Sequence, residues 1–368
     1  MSTLCFGAPF RTHRRAQSNA VGGGHQRASC PARPLHLQAA HPSLPIAVRQ
    51  GTKRSERPDN VTGRRHSGLI ARSAVSDTVD VPSIREELQQ VVQVASDAAL
   101  EGGRIIREKA GAEIIKTKGN PRDLLTEVDA EVQKVIEGAV VSAFPHHGFL
   151  GEENVPPGPD ASTAALDQIL NDPASPDWLW VVDPIDGTTN FVHGMPLSAI
   201  SIGVAYKGTL VAGVILDPYH KECFTATLGG GAFCNGEPIK VGLEDTAGQA
   251  TVCSGYGATG STGPLIRGMK AMVTLPVRTF RMLGSAAIMF AWVSCGRLTA
   301  YFEADLNAWD IAAGALLVKE AGGKISGIDG SDYTLRTRCV IGSNGLTHEE
   351  LRGALVEAGV LGLDNEGI

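Results

Sequence analysis

The stretch "WVVDPIDGTTNF", residues 180–191, places Asp183 and Asp186 three positions apart with Pro184 and Ile185 between them. An apolar run leads in, and Gly187, Thr188, Thr189 and Asn190 lead out. Two further acids close apolar segments: Glu152 in "FLGEEN" and Asp310 in "NAWDIAAG". Burying a carboxylate is costly unless it is paired or bound to a metal. Four that converge repel one another and cannot all stay ionised without cations. The motifs offer oxygen ligands and neither His nor Cys, which points to a hard ion, Mg²⁺ before Mn²⁺ or Ca²⁺.

The local chemistry of the opening stretch follows from its residue types. A strand delivers Asp183 to a sheet edge, and Pro184 fixes a bend while removing one backbone donor. The chain then turns so that Asp186 returns beside Asp183, and the Ile185 carbonyl can face the same ion. Gly187 allows close backbone approach. Thr188 and Thr189 begin a segment whose N–H groups can receive a phosphate, as helix starts do. Taken alone, "DPIDG" also reads as an ordinary acidic turn. The company of "GEEN" upstream and "WDIAAG" downstream argues for a site.

These acids need elements to hold them. Residues 83–109 carry Leu88, Val91, Val92, Ala95, Ala98 and Ala99 at helical spacing, which predicts an amphipathic helix. Residues 112–118 read as a strand. Thr126 followed by Asp129 forms a capping-box pattern, with a helix expected to Ala143. Short strands are expected at 147–152 and 178–183. Hairpins are expected to turn near Lys207–Gly208 and Gly229–Gly231. In the C-terminal part, helices at about 285–295, from Trp309 to Gly322–Gly323, and at 347–358 alternate with strands at 298–304 and around "RCVIGSN". This predicts an α/β protein: residues 83–225 as an α+β metal- and phosphate-binding half, and 226–368 as an α/β half completing the site. Residues 156–176, "PPGPDASTAALDQILNDPASP", read as a long flexible loop that shapes access or oligomer contacts.

A chain of 368 residues with 43% apolar content can bury a full core, and no apolar run approaches the roughly 18 residues of a membrane span. Of 33 Lys/Arg and 39 Asp/Glu, 12 and 2 fall in residues 1–73, so the remainder carries 21 and 37, a net of −16. Such an acidic body repels nucleic-acid phosphates and suits a site that gathers cations. The first 73 residues are Arg- and Ser-rich, acid-poor and aperiodic, the composition of a disordered organelle transit peptide. Their proline content favours plastid over mitochondrion, with cleavage expected near 71–75; a disordered regulatory tail is the other reading. The seven cysteines show no zinc spacing and default to buried thiols, though Cys223 and Cys234 are placed to face each other across a hairpin as a redox pair.

The motifs "GEE", "DPIDGTTNF" and "WDxAAG", in this order, resemble the inositol monophosphatase family of Mg²⁺-dependent, lithium-sensitive phosphatases, over about residues 83–360. The resemblance implies a layered αβαβα sandwich, usually a homodimer. It implies that Glu152, Asp183 and the Ile185 carbonyl hold a first metal, and that Asp183, Asp186 and Asp310 hold a second. Glu152 and Thr188 would orient the attacking water. Asp129 would lie near Thr188 and a third, weaker metal, giving two or three Mg²⁺ ions. Lys118, Asp123 and Thr126 match the family spacing. Gly187 and Thr188 would cradle the phosphate, with Glu152, Ile185, Asp186 and Asp310 bordering the substrate. Gly284, Ser285, Ala286 and Glu303 would contact a sugar-like ring. Plainer roles stand beside these: Thr126 and Asp129 as a helix cap, Glu303 as a solvated strand-end acid, Lys118 as a solvated loop lysine, His193 as structural, Glu153 facing outward.

The activity so implied is hydrolysis of the small phosphate monoester myo-inositol monophosphate in the plastid, without nucleic acid or membrane partners. L-galactose 1-phosphate, histidinol phosphate or a bisphosphate are the alternatives with the same chemistry, and "TTNFVHG" favours inositol. A non-catalytic scaffold would be expected to have lost a carboxylate or Thr188, and none is lost.

Overall fold

The amphipathic stretch predicted over 83–109 forms α1 (Val81–Glu108), with Leu88, Val91, Ala95 and Ala99 on its buried face. The computed structural model describes residues 79–111, 116–117, 124–257 and 262–361. The segment 1–73 and the positions Lys118 and Asp123 lie outside the described residues, as does most of the strand expected at 112–118. Its two described residues form β1 (Lys116–Thr117), which pairs antiparallel with β2 (Leu124–Leu125). Helix α2 (Glu127–Ala143) follows, capped as its sequence predicts: Asp129 Oδ2 accepts from the Thr126 N–H at 2.9 Å, and Thr126 Oγ1 accepts from the Val128 N–H at 3.1 Å.

Seven strands then run in sequence order across one sheet: β3 (Gly148–Gly151), β4 (Trp178–Asp186), β5 (Ala199–Tyr206), β6 (Thr209–Asp217), β7 (Glu222–Thr227), β8 (Gly231–Cys234) and β9 (Glu237–Pro238). Only β3 and β4 are parallel; the rest are antiparallel, joined by the tight turns expected at Lys207–Gly208 and Gly229–Gly231. A second sheet holds β10 (Thr251–Cys253), β11 (Thr279–Arg281), β12 (Ala300–Glu303), β13 (Lys324–Gly327) and β14 (Val340–Ser343) in the order β11-β10-β12-β14-β13.

Two segments depart from expectation. The loop expected over 156–176 contains α3 (Pro159–Asn171). Leu166 and Ile169 pack on Leu179, Val181 and Trp309, and burial of that stripe outweighs the loop-like Pro, Asp and Ser around it. Cys223 and Cys234 do not face each other: the register opposes Cys234 to Phe224, so the pleat sends the two thiols to opposite faces. Cys223 meets Ser96 of α1, whereas Cys234 lies beside Cys295 and Arg297. Burial pushes both thiols up, Cys234 to about 11.

The remaining helices are α4 (Thr188–Val192), α5 (Gly263–Thr274), α6 (Ala286–Ser294), α7 (Ala308–Glu320) and α8 (His348–Glu357). Alternation along β4 sorts the layers. Trp180 and Val182 pack in the core with α1 and α2, while Leu179 and Val181 face α3 and α7. Helices α6 and α7 sit between the sheets, and α5 and α8 cover the outer face of the second one through Met272, Leu351 and Leu355. The result is an αβαβα sandwich. Helix α7 lies unusually close to the first sheet: a Cβ on Gly203 would meet Ala312 Cβ at 2.5 Å, and one on Gly213 would meet the Ala313 carbonyl at 2.8 Å. Its buried Ile311, Leu316, Leu317 and Val318 each contribute about 1.5–3 kcal/mol of hydrophobic stabilisation. No helix among the described residues is long and apolar enough to cross a membrane.

Candidate active site

Strand β4 does not stop at Asp183 but runs through Asp186, and its pairing with β5 slips there. Asp183 opposes Ser201 and Asp186 opposes Ala199, so three steps on β4 match two on β5. In a regular strand, residues three apart point to opposite faces. The bulge supplies one extra residue and returns Asp186 to the side of Asp183. Pro184 falls inside the irregularity, where a missing N–H costs no ladder bond. The Ile185 N–H folds back onto Asp183 Oδ1 at 2.9 Å. Gly187 follows at φ +88°, hemmed in by the Gly284 and Leu197 carbonyls at 2.9 and 3.0 Å from any added Cβ. Only glycine takes this corner without strain. Helix α4 starts at Thr188, so its N-terminal dipole, which favours anions, begins where the acids end.

The third aspartate arrives on α7. Asp310 sits at the third helical position and accepts from the Asn307 N–H at 2.7 Å, a capping box that sets its carboxylate at the helix start. Ser201, the partner of Asp183, donates its hydroxyl to the Trp309 carbonyl at 2.9 Å and ties the two elements together. Asp183, Asp186 and Asp310 each present an oxygen within 4.8 Å of the others. Asp186 is also held by the start of α6: the Ser285 hydroxyl donates to Oδ2, and the Ala286 and Ala287 N–H groups donate at 3.2 and 2.8 Å. Thus the polar groups of Ser285 and Ala286, which the resemblance assigns to a substrate ring, engage the Asp186 carboxylate here.

Glu152 opens a single turn after β3, Glu152–Asn154. Gln133 of α2 braces that turn, accepting from the Glu153 N–H at 2.9 Å and donating to Asn154 Oδ1 at 2.8 Å. Glu152 lies outside the tight aspartate triad but acts on it electrically. Burial, then the charges of Glu152 and Asp186, hold the Asp310 carboxyl well above the usual carboxylate range. Burial lifts Asp186 to about 6, with Ser285, Ala287 and Ala286 opposing and Glu152 adding to the rise.

Asp129 is fully buried; it serves the helix cap and also reaches Thr188. Its Oδ2 completes the Thr126 cap, and its Oδ1 stands 3.3 Å from Thr188 Oγ1. Thr188 Oγ1 is also 3.0 Å from the Ile185 carbonyl. Both neighbours only accept, so the Thr188 proton is committed to them and its oxygen is left as an acceptor for a water.

Glu303, at the end of β12, is 4% exposed, so it is not a solvated acid. Burial, reinforced by the charge of Asp186, raises it to about 8 against the opposing hydrogen bond from Tyr301, whose hydroxyl donates at 2.7 Å. A Cβ on Gly255 would meet Glu303 Oε2 at 2.4 Å, which keeps this wall free of side chain. Gly284, at φ +75°, packs on Asn190. His193 is exposed, and no buried structural role is visible for it. The braces Asn190, Gln133, Asn307 and the Ala287 N–H were not singled out from sequence. Of these, Asn307 preceding Asp310 by three was the readable signal, since it is itself a capping-box pattern.

The donor set fits a divalent cation. Carboxylates that raise one another's affinity for protons are relieved by a cation placed among them, and an all-oxygen set suits a hard ion.

Residues 87–359 match the Inositol monophosphatase family. Over 280 residues the chain is 36% identical to inositol monophosphatase 2 of Solanum lycopersicum, covering 74% of this chain and 100% of that one. It is 32% identical over 260 residues to inositol monophosphatase 1 of Homo sapiens, covering 70% and 90%. The solved inositol monophosphatase from Anabaena (Nostoc) superposes with a TM-score of 0.63 at 30% identity, covering 74% of this chain and 97% of that one. A family match of this length, with a relative 36% identical over its whole length and a solved structure that shares the fold, means that the chain belongs to the inositol monophosphatase family of phosphoric monoester hydrolases.

Proposed function

We propose that the protein hydrolyses myo-inositol monophosphate to myo-inositol and phosphate with Mg²⁺ held at Asp183, Asp186, Asp310, Glu152 and the Ile185 carbonyl. The observation that carries this reading is the aspartate triad within 4.8 Å, with Asp183 and Asp186 buried and Asp310 half-buried, set against the start of α4. The relatives' names supply the substrate. Mg²⁺ so held supplies Lewis-acid activation of water and neutralises charge on the phosphoryl oxygens. Thr188, its proton committed, accepts a hydrogen from the attacking water and fixes its direction. The backbone at Gly187–Thr188 takes the phosphate at the positive end of α4. Glu303, facing the same acids, recognises a ring hydroxyl.

The test is phosphate release with Mg²⁺ on inositol 1-phosphate, L-galactose 1-phosphate, histidinol phosphate and fructose 1,6-bisphosphate, with Asp186→Asn as the control. Inositol 1-phosphate leading with a dead control supports the reading. A lead for another ester keeps the metal chemistry and removes the substrate assignment.

The reading extends to inhibition by lithium, to a homodimer, and to plastid import directed by residues 1–73, whose 12 basic and 2 acidic residues support it. Inhibition assays, light scattering and import of a 1–73 fusion into isolated plastids and mitochondria check these in turn.

A further inference from the structure

We propose that Arg338 is a positioning residue for the metal site, holding Asp310 in register through the loop that begins α7. This rests on the reading of the aspartates as cation ligands.

Arg338 leaves the segment just before β14, and its half-buried side chain ends among polar groups. Its Nε donates to Asp305 Oδ1 at 2.8 Å. Nη2 lies 2.7 Å from the same oxygen, too poorly aligned to form a second hydrogen bond. Nη1 donates to Asn307 Oδ1 at 3.2 Å and to Ser162 Oγ of α3 at 3.0 Å. The Arg338 carbonyl accepts from the Leu306 N–H at 2.9 Å. One residue thus grips 305, 306 and 307 in succession.

Within that tripeptide Leu306 is buried in the core, and the polar residues on either side of it are the two that the guanidinium holds. Asp305 is 2% exposed and sits at φ +63°, a left-handed conformation that a non-glycine residue keeps only when its surroundings impose it. Its carboxylate meets the guanidinium on one side, and the chain then turns into Asn307. The Asn307 backbone N–H is the group that holds Asp310 Oδ2 at 2.7 Å. A shift of the tripeptide therefore moves the donor that aims Asp310, one of three carboxylates converging within 4.8 Å. The guanidinium suits this task because it is planar and always charged, with donors in a fixed fork. Lysine has one point charge and cannot reach Asp305, Asn307 and Ser162 together.

The Ser162 arm separates site from scaffold. It ties the same guanidinium to α3, which Arg336 also fastens through Asp167 at 2.6 Å and Asn171 at 2.9 Å. Cutting that arm alone leaves Asp305 and Asn307 in place.

The test is Mn²⁺ binding to the metal-depleted full-length protein, read by electron paramagnetic resonance at a temperature where every variant is folded by circular dichroism. Arg338→Met weakens Mn²⁺ binding by about 10- to 100-fold, the usual effect of losing a partner that orients a metal ligand. Asp305→Asn keeps a residue that tolerates the left-handed backbone and weakens binding in the same direction by less. The double variant binds no more weakly than Arg338→Met alone, because both substitutions release the same tripeptide. Ser162→Ala binds within about twofold of wild type, since only the arm to α3 is lost. Folded Arg338→Met with wild-type affinity overturns the proposal. If Arg338→Met does not fold, Asp305→Asn decides, and wild-type affinity there overturns it equally. Wild-type protein that binds no Mn²⁺, with Asp310→Asn indistinguishable from it, removes the metal reading itself, a different result from an unaffected Arg338→Met.

Discussion

Asn190 donates one amide hydrogen to the carbonyl of Leu283 at 2.7 Å, joining α4 to the loop that carries Ser285. Its other hydrogen goes to the Leu197 carbonyl, also at 2.7 Å. Asn190→Ala leaves two part-buried carbonyls without this donor, at a cost of about 1–3 kcal/mol each where water cannot enter. The larger effect falls on Asp186, because the Ser285, Ala286 and Ala287 donors ride on that loop. Phosphate release is expected to fall ~10- to 100-fold, as small misplacements at a reacting centre do. Steady-state kinetics beside a thermal melt check both effects; a lowered melting temperature with unchanged kcat contradicts the positional role.

Asp310→Asn should separate stability from activity. The carboxyl is held well above its ordinary range by burial and by Glu152 and Asp186, so the neutral amide relieves repulsion in the metal-free fold. The variant is expected to melt higher than wild type without metal while losing phosphate release by at least about 100-fold. Mg²⁺ at about 100 times its dissociation constant stabilises wild type by about 2.7 kcal/mol through mass action. The variant should show little of that gain, and calorimetry with and without Mg²⁺ reads both quantities.

Glu303 makes the metal-free protein sensitive to alkali. Its carboxyl rises from an ordinary 4.5 to about 8 in the fold, so the native state keeps a proton that the unfolded chain releases. The contribution is complete below the unfolded value and disappears as pH rises through about 8. The change is at most roughly 5 kcal/mol. Glu303→Gln cannot titrate, so its urea midpoint should change less than wild type between pH 5 and 9. Parallel profiles for the two proteins would contradict the assignment.

His348 works in the opposite direction. Fully buried at the start of α8, it joins two strands, with Nε2 2.9 Å from Ser326 Oγ and Nδ1 2.9 Å from Ser343 Oγ. Burial holds it near 4, below the 6.5 of an exposed imidazole. The unfolded state therefore takes up a proton that the fold refuses, and stability falls as pH drops from 6.5 towards 4, by up to about 3 kcal/mol. His348→Leu should be less stable at pH 7, where Ser326 and Ser343 lose a partner, yet lose less on acidification. Denaturation at pH 7, 5.5 and 4.5 distinguishes these slopes.

Much of this was readable in the chain, because local rules agreed with the final packing. The capping pattern at Thr126–Asp129, the hairpin glycines at 208 and 229–231 and the Gly322 stop each state a backbone requirement in one or two residues. Helix α3 escaped notice because Pro, Asp and Ser dominate residues 156–176, while Leu166 and Leu170, four apart, give only a narrow stripe. The cysteine pairing failed by a single position of register, which periodicity alone cannot fix. In the site, the acids stand in the sequence but their braces do not. Asp186 takes its donors from residues 285–287, about a hundred positions later, and nothing local in either segment announces the other.

The bulge between Asp183 and Asp186 also makes the shared face of these two acids a matter of parity. The two aspartates share a side because β4 is one residue too long for its partner. Deleting Ile185 would restore an even ladder without removing any acid. The second aspartate would then sit two positions from the first, on the same face but drawn back along the strand, and Gly187 would no longer meet the corner held by the Gly284 and Leu197 carbonyls. Drift in this enzyme should therefore be far more tolerant of replaced letters around the motif than of a changed count within it.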